Sequence, residues 1–396
     1  MNNILDQNLV LKGKKVLLRV DLNVPMKNGA ITETSRIEKI VPTIKLLLEK
    51  QAKIIILSHI GRPKGKIVEG MSLEPISKKL AFLLNKEVLF NKHIINENTL
   101  PEINKISNGS IMMLENIRFN EGEESNDNKF SKKISNLGDI YVNDAFSCSH
   151  RSHASVEGIT KYIPSYFGLQ IIEEINALKR ITSEIKKPVT LIIGGSKIST
   201  KIKIINNLIK KFNNIIIVGG MANTMLKHTG SKVGKSICEH DCGHLIKEIL
   251  ENSNKYNCKI TCPRDVVVSK NVEDMGKEKK IEEIEDDEMI LDIGPKTISF
   301  IKTIINNSNT VLWNGPAGYF ENPNFQNGTK QILEIISQKT KNDKIFSVAG
   351  GGETVAAIKK FKKLDSFTFV STAGGAFLEH LEGKTLPGIK ALNQNV

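Results

Sequence analysis

Five times in the second half of this chain a short apolar run ends in glycine. Val189 to Ile193 runs into Gly194-Gly195, Ile215 to Val218 into Gly219-Gly220, and Val311-Leu312-Trp313 into Asn314-Gly315-Pro316-Ala317-Gly318. Phe346 to Ala349 runs into Gly350-Gly351-Gly352-Glu353-Thr354, and Phe369 to Thr372 into Ala373-Gly374-Gly375. Runs this short and apolar predict strands covered on both faces, each followed by a helix. Strands alternating with helices build parallel sheets, so the pattern predicts an α/β fold of the doubly wound type. A single glycine turn is a packing convenience. Five on one sheet edge predict a ligand laid across exposed backbone amides, as a nucleotide would be.

The first exit carries charge as well. In Gly194-Gly195-Ser196-Lys197-Ile198-Ser199-Thr200-Lys201 the glycines allow a sharp turn, and an amphipathic stretch, Ile202 to Phe212, follows. Lys197 and Lys201 are four apart and share a face once the helix starts. Two ammonium groups beside a helix N-terminus suit a ligand with several negative charges.

The first half repeats the strand pattern with different exits. Lys15 to Val20, Lys53 to Leu57, Ile111 to Leu114 and Asp139 to Val142 read as strands, and a helix opens near Ile31 and runs to about Gln51. Their exits carry Asp21, Asn23, His59, Arg62, Arg118, His150 and Arg151, and Arg36 lies near the start of the helix. The chain holds seven arginines against 49 lysines, and five of the seven fall in the first 151 residues. Where lysine is so favoured, a retained arginine points to a need for the planar fork. In open α/β sheets ligands bind beyond the carboxyl ends of strands, so this cluster predicts a small anionic ligand.

At 396 residues the chain exceeds one ordinary core and predicts two domains. Residues 1–166 form the first, 186–379 the second, and an amphipathic helix over 167–185 joins them, with Leu169, Ile172, Ile175, Leu178 and Ile181 at helical spacing. No apolar run approaches the ~20 residues of a membrane helix. Met1 to Val10 lacks the apolar core of a secretory signal, so a cytoplasmic protein is expected. A net charge of +13 and a pI near 9.3 invite a nucleic-acid reading. The lysines are dispersed among Asp and Glu, and no RNA-binding aromatic motif is visible. Cys238/Cys242 and Cys258/Cys262, with His240 and His244 nearby, resemble a zinc site, but the spacing within each pair is Cys-x3-Cys and Cys258 to Cys262 reads as a strand. Buried, reduced thiols are expected there.

Standard nucleotide motifs are missing. Gly230-Ser231-Lys232-Val233-Gly234-Lys235-Ser236 has three residues between glycines where a P-loop has four. Val355 stands where a dinucleotide fingerprint places its third glycine, which argues against an NAD-dependent dehydrogenase. No His-Arg-Asp or Asp-Phe-Gly of a protein kinase appears.

Taken together and in order, these stretches resemble phosphoglycerate kinase. The resemblance runs through Arg19-Val20-Asp21-Leu22-Asn23-Val24-Pro25, Ser58-His59-Ile60-Gly61-Arg62-Pro63, Leu114-Glu115-Asn116-Ile117-Arg118-Phe119, Asn143-Asp144-Ala145-Phe146 and His150-Arg151-Ser152-His153. It continues through Gly194-Gly195-Ser196-Lys197, Trp313-Asn314-Gly315-Pro316 and Leu381-Glu382-Gly383-Lys384-Thr385-Leu386-Pro387-Gly388. The resemblance implies two domains facing each other across a cleft, with tail residues 380–396 packed back on the first. It implies that Asp21, Asn23, Arg36, His59, Arg62, Arg118 and Arg151 hold 3-phosphoglycerate or 1,3-bisphosphoglycerate. On the Mg-ATP or Mg-ADP side it implies Gly195, Lys197, Lys201, Gly219, Asn314, Pro316, Glu321, Gly350, Gly351, Gly352, Glu353 and Thr354. Glu353 stands where the family usually has Asp, and its longer arm suits a water-mediated Mg²⁺ contact. Ser147 and Ala373 stand where glycines are usual, so a positive φ at either would bring strain.

The expected enzyme is a monomeric phosphotransferase of glycolysis with no nucleic-acid or membrane partner. The accepting carboxylate is ionised at pH 7 and needs no general base. Positioning and countercharge therefore carry the chemistry: Arg36 aligns the carboxylate, Lys197 follows the phosphoryl group, and the helix N-termini at Gly351 and Gly374 complete the cage.

Overall fold

A computed structural model describes residues 2–27, 29–342 and 344–394. Its contacts divide the chain into two compact units, Met1–Asn176 with Thr385–Val396, and Ala177–Lys384. Each is built on a six-stranded parallel sheet with helices from the intervening segments.

In the first unit the strand order is Leu89–Asn91, Ile111–Leu114, Lys53–Leu57, Lys15–Arg19, Ile140–Asn143, Ser165–Phe167. The chain starts in the middle, at Lys15–Arg19, builds outward on one side, then returns to build on the other. The switch point therefore falls between Lys15–Arg19 and Ile140–Asn143, where a crevice opens beyond the strand ends. Ile54, Ile55, Ile56 and Leu57 are all fully buried because helices cover both faces. Each such side chain contributes about 1.5–3 kcal/mol relative to exposure.

The Ser35–Glu49 helix lays Ile37, Ile40, Ile44 and Leu47 on the sheet. It starts later than the sequence suggests, because Ala30–Ile31 pairs with Met26–Lys27 in a hairpin and Thr32 bonds the Pro25 carbonyl. The helix expected from Phe167 is likewise shorter, Leu169–Thr182. Phe167 closes the last strand, and Asp144 takes the Gln170 amide at 2.7 Å in the helix's first turn. The division between the units falls inside this helix. Helix Pro387–Gln394 belongs to the first unit, where Gly388 bonds the Ser149 carbonyl and a Cβ would sit 2.8 Å from Val156.

In the second unit the order is Lys259–Thr261, Asn214–Ile217, Val189–Ile193, Thr310–Asn314, Phe346–Gly350, Phe369–Ser371. Its switch point lies between Val189–Ile193 and Thr310–Asn314, so Gly194-Gly195 and Gly315-Pro316 face each other there. Gly194 donates to the Asn314 carbonyl at 2.9 Å, and a Cβ on it would meet the Pro316 carbonyl at 2.4 Å. Three of the five glycine exits open directly into a helix, and after Gly194-Gly195 a loop runs to the helix start at Ile202. After Asn314 the chain instead loops through 3-10 turn Pro323–Phe325 before helix Asn327–Lys341. Asp292 crowds this loop: a Cβ on Gly318 or Gly328 would meet its carboxylate at 2.3 Å. An antiparallel sheet of Lys277–Lys280, Asp265–Ser269 and Met289–Ile293, unannounced in the sequence, adds a wall. Among the described residues no helix is long and apolar enough to cross a membrane.

Candidate active site

At the first switch point the exits converge. Asp21 Oδ2 accepts from Arg36 Nη1 at 2.7 Å, and Nη1 also reaches the Asn23 carbonyl at 3.1 Å. Asn23 Oδ1 takes the Gly61 amide at 3.0 Å, and the Gly61 carbonyl takes Arg118 Nη1 at 2.7 Å. One chain of bonds thus links the exits of three strands. Arg19, wholly buried at a strand end, donates Nη2 to His59 Nδ1 at 3.1 Å and Nε to Ser155 Oγ at 2.9 Å. Since arginine only donates, His59 Nδ1 accepts and its proton sits on Nε2. Burial, then the fields of Arg19 and Arg118, hold the His59 pKa well below the usual histidine range. Arg151 adds its field to Arg118 and His153. Arg62 is exposed and makes no hydrogen bond or ion pair among the described residues.

Asp21, His59 and Cys148 bring ligand atoms within 4.8 Å of one another, the only such group among the described residues. Arg19 and Arg118 act on His59 and Cys148, and Arg36 pairs with Asp21, so this field suits an anion better than a cation. The four cysteines near residues 238–262 gather no such group; burial raises Cys258 and Cys262 to about 12, which keeps them as thiols.

At the second switch point the glycines line a cavity of about 440 Å³. Gly195, Gly219, Pro316, Glu321 and Glu353 face it, opposite the apolar side chains of Ile237, Met289 and Leu291. Gly195 and Gly219 have φ of +144° and +65°, which L side chains rarely adopt. Asp292 floors the cavity while accepting from Gly328 N at 2.7 Å and Ile293 N at 2.9 Å; burial lifts it to about 7. Beside the cavity a bonded cluster forms. Asn314 Oδ1 accepts Lys201 Nζ at 2.5 Å, Asn314 Nδ2 donates to the Gly350 carbonyl at 2.6 Å, and Thr354 Oγ1 accepts the Gly315 amide at 2.7 Å. Burial pulls Lys201 below the ordinary lysine value, with Glu353 and Glu382 pulling back. Gly351 (φ +96°) and Gly374 (φ +57°) stand at the N-caps of helices Gly352–Lys360 and Gly375–Leu381.

The lysines are arranged otherwise than the four-residue spacing predicts. The helix starts only at Ile202, so Lys201 is its N-cap and Lys197 lies in the loop before it, not on a shared helical face. Lys197 is exposed, and its ammonium makes no hydrogen bond among the described residues. Neither Ser147 nor Ala373 has positive φ, so neither carries the strain a glycine position would impose. Sequence reasoning passed over Arg19, Glu123, Ser155 and Asp292 as site members. Only Arg19 left a signal, as one of the few arginines.

His153 tests the site's charge. Its ring Nδ1 lies 3.8 Å from Glu123 Oε1, and burial followed by Arg118, Arg19 and Arg151 pushes its pKa down to about 3. Unfolded histidine binds a proton near 6.5. From pH 6.5 down to about 3 the unfolded chain therefore holds a proton that the folded one lacks, and folded stability falls as pH drops. Between pH 6.5 and 5 this amounts to roughly 2 kcal/mol. His153→Gln should remove that portion of the slope. We expect the wild-type-minus-variant difference in thermal midpoint to shrink by several degrees from pH 7 to pH 5. A difference independent of pH would rule this out.

Two parallel sheets carry groups suited to anions at their switch points, guanidinium groups at one, lysines and backbone amides at the other. This is the build of a phosphotransferase. A family model of phosphoglycerate kinase matches residues 6–384. The chain belongs to the phosphoglycerate kinase family. It is 46% identical over 393 residues to phosphoglycerate kinase of Chelativorans sp. (strain BNC1), covering 98% of each chain. Over 380 residues it is 46% identical to that of Wolbachia pipientis subsp. Culex pipiens (strain wPip), covering 96% of each. The solved phosphoglycerate kinase from Coxiella burnetii aligns with a TM-score of 0.89 at 38% identity over 98% of each chain. That from Pyrococcus horikoshii OT3 aligns at 0.84 and 28% identity, covering 100% of this chain and 99% of that one.

Proposed function

We propose that this chain transfers a phosphoryl group reversibly from the acyl phosphate of 1,3-bisphosphoglycerate to ADP, giving 3-phosphoglycerate and ATP. The observation that carries this reading is the pair of contrasting strand-exit sites at the two switch points, in a chain of this family. Asp21, Asn23, Arg36, His59, Arg62, Arg118 and Arg151 hold the phosphoglycerate. Gly195, Gly219, Pro316 and Glu321 seat the nucleoside, and Lys197, Lys201, Asn314, Gly350 to Gly352 and Thr354 its phosphates.

In the ATP-forming direction the bond between phosphorus and the acyl oxygen breaks, and a β-phosphate oxygen of ADP forms the new one. Arg36 tethers Nη1 on Asp21 and presents its Nε and Nη2 to the carboxylate. His59 donates Nε2–H. Lys197 is tied down by no hydrogen bond among the described residues and follows the moving charge, whereas Lys201 is held by Asn314 and stays with the nucleotide. Gly351 and Gly374 leave helix amides open to the phosphates. Mg²⁺ arriving with the nucleotide would supply countercharge to its phosphates. Mg²⁺ needs only one or two carboxylates, and Glu353 on the cavity wall would hold it, through water. The two units close on each other during turnover and exclude water. The enzyme works in the cytoplasm as a monomer, on small molecules, without nucleic acid or membrane.

ATP formation from 1,3-bisphosphoglycerate, ADP and Mg²⁺ in a coupled assay tests the activity; no ATP above a boiled control would end the reading. For closure, solution scattering should give a smaller radius of gyration with both substrates than with either alone. An unchanged radius at saturation would remove closure from the mechanism.

A further inference from the structure

Asp21 is held from three sides. Its Oδ1 accepts the Asn23 amide at 3.0 Å, and its Oδ2 accepts Arg36 Nη1 at 2.7 Å. The third donor is the hydroxyl of Ser147, which bonds Oδ2 from across the switch point, at 3-10 turn Phe146–Cys148. An ionised carboxylate offers about four lone-pair positions, so the three donors leave about one for a ligand hydroxyl. The torsion that turns an Asp carboxylate is broad and soft. The Asn23 amide alone pins one oxygen, and the Ser147 hydroxyl pins the other. Arg36 Nη1 bonds that second oxygen and the Asn23 carbonyl, so Ser147, by holding the carboxylate, sets one of the two anchors that direct the guanidinium plane. The Nε and Nη2 of Arg36 make no bond among the described residues, and they are the edge left for a carboxylate.

We propose that Ser147 is a positioning residue for phosphoglycerate, which sets the Asp21 carboxylate and, through it, the aim of Arg36. This rests on the reading of Arg36 as the carboxylate clamp. Ser147 touches no reacting atom. It acts on the binding of one substrate and leaves the nucleotide side alone.

The test uses the full-length enzyme with S147A and S147T, assayed in the direction of 3-phosphoglycerate phosphorylation, with both KM values, kcat and the thermal midpoint measured. S147A is expected to raise KM for 3-phosphoglycerate about five- to tenfold, with KM for ATP and the thermal midpoint unchanged. S147T, which keeps the hydroxyl, is expected to recover most of the loss. A KM for 3-phosphoglycerate within twofold of wild type in S147A would overturn the proposal. So would a parallel rise of both KM values with a lowered midpoint, which marks a merely structural role. Titration of wild type and Arg36→Ala with 3-phosphoglycerate separates the levels. If wild type does not bind it, or Arg36→Ala binds and turns over normally, the reading beneath fails too. If both behave as expected and S147A is silent, Ser147 alone falls.

Discussion

Arg36→Ala is expected to lower kcat by about 10²- to 10³-fold, the range seen when one preorganised donor to developing charge is removed. The fold should survive. Arg36 sits in the first turn of its helix with its side chain 32% exposed, and the neighbouring positions Ile37, Ile40 and Ile44 carry the packing. The loss is catalytic because the accepting carboxylate and the phosphoryl group repel each other. Only a fixed countercharge lets them approach, and proton transfer plays no part. Arg36→Lys should recover little, since a point charge cannot hold Asp21 with one nitrogen and present two others. The check is steady-state kinetics beside circular dichroism and a melting curve. A folded Arg36→Ala enzyme with kcat within threefold of wild type would remove Arg36 from the mechanism.

The parallel sheets were readable because their strands are apolar runs with no helical period, such as Ile54 to Leu57 and Val189 to Ile193. Strand exits were readable for the same reason: polarity and glycine begin where the runs stop. Helix starts were less so. The Ala30–Ile31 hairpin strand captures residues whose pattern continues smoothly into the next helix, and only the tertiary bond from Thr32 to the Pro25 carbonyl shows the break. Lys197 and Lys201 look like helical neighbours because spacing says nothing of where a helix begins. Asp292 and Glu123 were invisible for another reason. Their roles depend on burial and on partners far along the chain, Gly328 for one and Ser155 for the other. Arg19 lies between these cases: composition marked it as unusual, but its place beneath His59 needs the pairing of Lys15–Arg19 with Lys53–Leu57.

The contrast between the two lysines yields the other large effect. Lys197→Ala is expected to lower kcat by about 10²- to 10³-fold while leaving KM for 3-phosphoglycerate and the thermal midpoint near wild type. Its ammonium is exposed and makes no hydrogen bond among the described residues, so its removal opens no cavity; within the chain its field acts on the carboxylate of Glu239. A charge tied down by no hydrogen bond is free to meet a ligand, and in the proposed mechanism the group that gains most is the phosphoryl unit in flight. Lys201→Ala should behave differently. Lys201 is partly buried and bonded at 2.5 Å to Asn314, so its loss frees Asn314 Oδ1 and loosens the contact to Gly350. It should raise KM for ATP and lower the melting temperature. Single-turnover measurements decide the matter, because they isolate the chemical step from binding and product release. If Lys197→Ala slows only nucleotide binding while the single-turnover rate at saturation stays at the wild-type value, Lys197 holds the nucleotide and does not travel with the phosphoryl group.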